Sequence, residues 1–317
     1  MTTILLVQWV IVLLAALYAL VKGADLFVEG ARKIGIYFGM SAFAVGVLIV
    51  GMGTSLPELA SSLAGVWSGV PDIVIANVVG SNIANILLVV GVMAFFGGRV
   101  VIKQNLLKTE LPLFFIATAH FSAAVFDGVI DKIEAALLLA TFGAYLWYII
   151  VESQDDENHH EDNNEVISTF PWTALALSLF GLLTLLAGAK FTVDTAVNLA
   201  TGFAVPVALV SITAIAIGTT LPELVVTIQA IRSKQTEMGI GNIFGSCAFN
   251  VLVVAGVPAL FVTLPAGEIV MELGLGIMLV ASAILFVSGL ARQVMRWEGL
   301  MMLIFFVFFM VKLATIL

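Results

Sequence analysis

The chain has 317 residues, of which 61% are hydrophobic and 11% charged, with a formal net charge of −8 and a mean hydropathy of +1.15. Soluble domains carry about 25% charged residues, so this composition excludes a soluble protein with a large core and predicts an all-α integral membrane protein. The absence of a basic patch with interleaved aromatics argues against nucleic acid as a partner, and a single cysteine, Cys247, excludes an internal disulfide.

A membrane-spanning helix needs roughly 20 apolar residues. Polar punctuation divides the chain into ten predicted transmembrane helices, with cores near 4–30, 39–66, 72–96, 110–126, 130–151, 171–198, 205–231, 237–262, 269–290 and 297–316. The first run lacks both a basic start and a small-residue cleavage site, so it is expected to stay as the first span. The first and sixth runs are longer than a perpendicular crossing needs, and tilt is one explanation. The one long polar segment, Glu152 to Ser168, holds Glu152, Asp155, Asp156, Glu157, Glu161, Asp162 and Glu165. It separates a first five-helix repeat, 1–151, from a second, 169–317, through an acidic linker, 152–168.

The halves repeat each other. Gly53-Thr54-Ser55-Leu56-Pro57-Glu58 returns as Gly218-Thr219-Thr220-Leu221-Pro222-Glu223. Each glutamate is followed at one spacing by Asn-x-x-Gly-Ser-x-x-x-Asn: Asn77, Gly80, Ser81 and Asn85, then Asn242, Gly245, Ser246 and Asn250. The offset is 165 residues throughout, and it also aligns Gly23-Ala24 with Gly188-Ala189 and Gly91 with Gly256. An odd number of spans per repeat inserts the second copy upside down, which is an inverted-repeat plan. With the N-terminus outside, nine of the 13 basic residues fall at cytoplasmic ends or loops: Arg32, Lys33, Arg99, Lys103, Lys108, Arg232, Lys234, Arg292 and Arg296. The positive-inside rule therefore expects a multi-pass protein of the cell (inner) membrane with both termini extracytoplasmic and the acidic linker in the cytoplasm. One aligned pair of loops agrees: Trp67-Ser68-Gly69 has no base, whereas Arg232-Ser233-Lys234 has two.

The motifs combine residues that make a cation site. Pro57 and Pro222 lack an N–H and break or kink their helices. The freed carbonyls of Thr54 and Thr219 can turn toward a central cavity, where irregular backbone is tolerated. A carboxylate in hydrocarbon costs about 2.5–3.5 kcal/mol on insertion scales, and Glu58 and Glu223 supply two. Ser81 and Asn85, like Ser246 and Asn250, stand one helical turn apart and can share a face. Such an all-oxygen set suits a hard cation such as calcium, which takes 6–8 oxygens in irregular geometry, better than magnesium with its tight octahedron. Nothing in the sequence provides the histidine and cysteine cluster of a zinc or copper site. Two carboxylates balance one calcium or two monovalent ions, which gives exchange its physical basis.

With these motifs, GMGTSLPE with NVVGSNIAN and IGTTLPE with NIFGSCAFN, the chain resembles the two α-repeats of the sodium/calcium exchanger family, within the calcium/cation antiporter superfamily. The resemblance covers essentially the whole chain. It implies alternating access with calcium moved against sodium, or in relatives against protons or with potassium, and sliding of the first and sixth helices across a fixed core. By motif position it implies calcium ligation by Glu58 and Glu223 with the carbonyls of Thr54 and Thr219. Ser55, Ser81, Thr220, Ser246, Asn85 and Asn250 would complete sodium or water sites, and the carbonyls of Gly51 and Ala216 would be sodium ligands. Some potassium-dependent members carry Asp where this chain has Asn250; the missing third carboxylate weakens a potassium co-transport reading.

No cofactor is implied, and no G-x-x-x-x-G-K-[ST] phosphate loop is present. The expected partners are the lipid bilayer and the transported calcium and sodium ions. A calcium/proton antiporter, a passive cation channel and a transporter of anionic solutes stay open as alternatives, the last disfavoured by the two glutamates. The acidic linker lacks an EF-hand pattern and reads as solvated, as do His159 and His160 within it. His120 is expected to be a satisfied packing histidine. Asp25 and Glu29 are expected to end the first helix near Arg32 and Lys33 as interfacial ion pairs, and Lys190 to pair with Asp194.

Overall fold

The computed structural model describes residues 3–98, 100–102, 110–155, 169–202 and 218–316. Among them run ten helices: α1 (Thr3–Tyr37), α2 (Ala42–Trp67), α3 (Asp72–Gly97), α4 (Glu110–Ala124), α5 (Lys132–Asp155), α6 (Trp172–Gly202), α7 (Leu221–Arg232), α8 (Thr236–Ala259), α9 (Val270–Leu290) and α10 (Arg296–Ile316). Eight helical stretches are long and apolar enough to cross a bilayer. As described, α4 and α7 are shorter; residues 103–109 before α4 and 203–217 ahead of the turn into α7 lie outside the described set. The predicted linker, with His159 and His160, also lies outside it beyond Asp155 up to 168, as does the expected start of the seventh helix.

Local sequence sets the helix ends. The first helix runs to Tyr37 and not to about residue 30, so Arg32 and Lys33 lie within it. Its first breaker is Gly39, whose φ of +65° lets the Met40 N–H return to the Gly35 carbonyl at 2.9 Å, a glycine C-terminal cap. Of the expected pairs, Lys33 meets Glu29 at 2.7 Å, whereas Asp25 is taken by Lys22 at 3.2 Å. Lys190 forms no ion pair with Asp194; a base placed N-terminal to its acid is the weaker helical order. Ser41 then caps α2, accepting from the Ala44 N–H at 3.1 Å. The turn after α2 uses Gly69 at φ +77°, and the equivalent turn after α7 uses Lys234 at φ +61°.

Two short antiparallel ladders leave no trace in the apolar runs. β1 (Val100–Val101) pairs with β4 (Gln293–Val294), and β2 (Val129–Ile130) pairs with β3 (Leu264–Pro265). The 165-residue shift turns one ladder into the other: Val100 opposite Val294 becomes Pro265 opposite Val129. Each strand pairs only with a strand of the other half, so the halves clasp each other reciprocally.

Two buried clusters organise the interior. The larger draws on α2 to α5 and α8 to α10, with Phe43, Ile75, Phe121, Phe244 and Leu252 among its fully enclosed side chains. The smaller joins α1 and α6 through Leu20, Phe27 and Leu185, and reaches the rest through Val45, Val50, Val226 and Met238. Glycines let the α1 and α6 backbones touch. A Cβ on Gly30 would lie 2.6 Å from the Ser178 nitrogen, and one on Gly188 would lie 2.5 Å from the Leu20 nitrogen. Both are far inside van der Waals contact, so only glycine permits this crossing. Large apolar side chains such as Phe96, Phe126, Trp147 and Phe308 are left on the outside, as expected for a surface facing lipid.

Candidate cation site

α2 breaks where the sequence predicts it. A wide π-helical stretch, Gly46–Gly51, leads to Ser55 at φ −86°, ψ 4°, and a new helical segment starts at Leu56 with Pro57 in its first turn. In the second half, Thr220 at φ −83°, ψ −8° precedes a segment that starts at Leu221 with Pro222 similarly placed. Proline is tolerated there because first-turn N–H groups have no intrahelical acceptor. Glu58 and Glu223 occupy the first turns, where the positive end of the helix dipole favours a carboxylate.

Both glutamates are fully buried, at 0% exposure. Neither Glu58 oxygen has a hydrogen-bond partner, nor has Oε2 of Glu223. Oε1 of Glu223 receives the Ser55 hydroxyl at 3.4 Å across the two halves. No Lys or Arg is paired with either glutamate among the described ion pairs. Buried charge without compensation is costly, and a cation bound between these oxygens would remove that cost.

Neutral oxygens surround the pair. Thr54 Oγ1 and Ser246 Oγ are 3.4 Å apart, and so are Thr219 Oγ1 and Ser81 Oγ, which is the same contact made by the other half. Asn85 and Asn250 are buried; both amide atoms of Asn85 and Oδ1 of Asn250 are unpartnered. Asn85 lies within a π-helical stretch, Ala84–Val90 in α3, and Asn250 begins another, Asn250–Val254 in α8. Such wide turns recur at functional sites because they re-aim side chains and loosen the backbone ladder. The Gly51 carbonyl is already an acceptor, receiving the Ser246 hydroxyl at 3.1 Å and the Ser55 N–H at 3.2 Å. Ala216 lies outside the described residues. The remaining predicted site residues, Thr54, Ser55, Thr220 and Ser246, are all buried. Among the described residues no group of three or more His, Cys, Asp and Glu forms a metal cluster, so the donor set is two carboxylates with hydroxyl, amide and carbonyl oxygens.

Sequence reasoning left two kinds of residue without a role. Asn77 and Asn242 stand 19 residues after their glutamates, and each clamps its own broken helix. Asn77 Nδ2 reaches the Glu58 carbonyl at 3.2 Å and Ser62 Oγ at 3.1 Å. Asn242 Nδ2 reaches the Glu223 carbonyl at 3.3 Å and Thr227 Oγ1 at 2.9 Å. The constant spacing was the available signal. Asn82, beside Ser81, bonds to both Cys247 and Asn250 and has no counterpart at the repeated position. His120 shares a 2.9 Å hydrogen bond with Thr141. Cys247 is fully buried next to Ser246.

Apolar spanning helices wrapped around two buried carboxylates, with no Lys or Arg among their described ion pairs, fit a membrane transporter of cations. Residues 8–151 and 173–314 match the family model of the sodium/calcium exchanger protein. The chain belongs to the sodium/calcium exchanger family and is a multi-pass membrane cation exchanger. It is similar to the putative antiporter CaxA of Alkalimonas amylolytica, 32% identical with 94% of this chain and 96% of that one covered. It is also similar to the sodium/calcium exchanger MaX1 of Methanosarcina acetivorans, 30% identical with 96% and 98% covered. The solved structure of the sodium-calcium exchanger NCX_Mj superposes with a TM-score of 0.81 at 27% identity, covering 98% of this chain and 99% of that one.

Proposed function

We propose that this protein is a secondary antiporter that exchanges calcium against sodium by alternating access. Its ions are held between Glu58 and Glu223 near the membrane midplane. The observation that carries the reading is the pair of fully buried carboxylates, three of whose four oxygens lack a protein hydrogen-bond partner. Thr54, Ser55, Ser81, Asn85, Thr219, Thr220, Ser246 and Asn250 supply further oxygens, with the carbonyls of Gly51 and Ala216. The similarity to MaX1, a sodium/calcium exchanger, and to NCX_Mj, a sodium-calcium exchanger, favours sodium as the counter-ion.

The chain forms ten transmembrane helices in two inverted five-helix repeats, 1–151 and 169–317, joined by a cytoplasmic acidic linker, with both termini extracytoplasmic and the protein in the cell (inner) membrane. The reciprocal ladders support the repeat relation, and the two bases of Arg232-Ser233-Lys234 support the orientation. Unequal burial supports alternating access. Asn242 and Thr227 are fully enclosed, whereas Asn77 is only partly buried and the neighbouring Ser61 is exposed. In the orientation above, the site is sealed toward the cytoplasm and more open toward the outside.

The test is calcium uptake into proteoliposomes under imposed sodium, proton or potassium gradients. A sodium jump at constant pH should drive uptake, and Glu58→Ala or Glu223→Ala should abolish it. Uptake driven only by a pH step would transfer the reading to calcium/proton exchange. Failure of unlabelled calcium to drive counterflow of labelled calcium would point to a channel. Flux retained without either glutamate would remove the site.

A further inference from the structure

The two asparagines of the site, Asn85 and Asn250, occupy equivalent places in the repeats but not equivalent surroundings. Asn250 Nδ2 donates to Asn82 Oδ1 at 3.3 Å, and Asn82 Nδ2 donates to the Cys247 backbone carbonyl at 3.3 Å. A backbone carbonyl can only accept, so the Asn82 amide has one satisfied orientation: nitrogen toward Cys247, oxygen toward Asn250. Asn82 is 1% exposed, so a flipped amide would set its oxygen against the Cys247 carbonyl away from bulk solvent. That orientation in turn fixes Asn250, whose nitrogen is engaged and whose oxygen is left buried without a hydrogen-bond partner. Moving Asn82 by the repeat offset of 165 residues gives Cys247, whose sulfur is a weak acceptor. Correspondingly, neither amide atom of Asn85 has a hydrogen bond.

We propose that Asn82 is a positioning residue that turns the Asn250 oxygen toward the cation and, by presenting an acceptor to residue 250, selects an amide there over a carboxylate. The proposal rests on the antiporter reading above. Asn250 then acts as a pre-oriented neutral ligand, whereas Asn85 must be oriented by the ion itself. An aspartate at 250 would set carboxylate oxygen against amide oxygen at hydrogen-bond distance. Relief would require Asn82 to turn over and give up the Cys247 carbonyl, or the aspartate to take up a proton and donate it to Asn82, which removes the added charge. The local packing thereby holds the site at two carboxylates and fixes the charge that any set of bound ions must balance.

The experiment uses the full-length chain, with equilibrium binding of radioactive calcium in detergent and sodium-driven calcium uptake after reconstitution. Asn82→Ala should weaken calcium half-saturation by about 2- to 10-fold in both assays, the range expected for one orienting hydrogen bond, with the maximal rate kept within about twofold. Asn82→Cys, which copies the residue of the second repeat, serves if the alanine variant folds poorly and should behave alike. Asn250→Asp should bind calcium poorly in the native background and recover in Asn82→Ala or Asn82→Cys, because the opposing acceptor is gone. Half-saturation unchanged in both residue-82 variants overturns the assignment, even where melting temperature falls. So does an Asn250→Asp defect that is independent of residue 82. A native protein that neither binds nor exchanges calcium overturns the transport reading and this assignment together, whereas native binding with unresponsive variants overturns this assignment alone.

Discussion

Asn242→Ala should damage this protein more than the equivalent change Asn77→Ala, and the difference follows from hydrogen bonds. Asn242 makes three: from its nitrogen to the Glu223 carbonyl and to Thr227, and from the Thr54 hydroxyl to its oxygen at 3.1 Å. The last ties the second half to the broken helix of the first. Side-chain hydrogen bonds in membrane proteins average about 0.6 kcal/mol, so removing three costs about 2 kcal/mol. Each orphaned partner stays buried, so water does not compensate. Asn77 offers one nitrogen to the Glu58 carbonyl, Ser61 and Ser62, all within its own half. Its two protons satisfy at most two of them at once, and its partly exposed position lets water substitute. That loss should be about 0.5–1 kcal/mol. In detergent, apparent melting temperature should fall by about 4 °C for Asn242→Ala and by about 1–2 °C for Asn77→Ala. Calcium half-saturation should weaken more in Asn242→Ala, because Thr54 and the Glu223 segment lose a shared anchor. Equal losses, or a larger effect of Asn77→Ala, would refute the claim that the Asn242 side of the site is the closed and load-sharing one.

Calcium at about 100 times its dissociation constant should stabilise the native chain by about 2.7 kcal/mol through mass action; thermal unfolding with and without calcium checks this, and Glu58→Gln with Glu223→Gln should remove the shift. Gly188→Ala should force α1 and α6 apart, since its Cβ would meet the Leu20 nitrogen at 2.5 Å. Overpacking of this kind costs about 1–3 kcal/mol, and an unchanged melting curve would contradict the close crossing. Lys234→Gly should stabilise by roughly 1 kcal/mol, because Lys234 sits at φ +61°, a region costly for a residue with a Cβ; a destabilised variant would show that the lysine makes a compensating contact. A small maleimide should reach the enclosed Cys247 slowly, with transport lost in proportion to labelling, and full labelling with unaltered flux would exclude Cys247 from the pathway.

How much of this was legible in the sequence depended on whether the signal was local. Pro57 and Pro222 announce a break by their own chemistry, and Glu58 and Glu223 announce a site by their cost in an apolar run. The charged residues near the end of α1 resemble a boundary in sequence, although the backbone continues until Gly39 supplies the left-handed turn. The ladders were hidden because two-residue strands have no periodicity and their partners lie far off in sequence: Val100 meets Val294. The symmetry of the motifs concealed as much as it revealed. Aligned by repeat, Asn85 and Asn250 are the same letter in the same place, and a reading by position treats them as equal ligands. Their difference comes from residues 82 and 247, one an asparagine and one a cysteine, each opposed to the other half of the molecule. A duplicated motif therefore specifies which oxygens are available, and the unduplicated neighbours specify how each one is aimed.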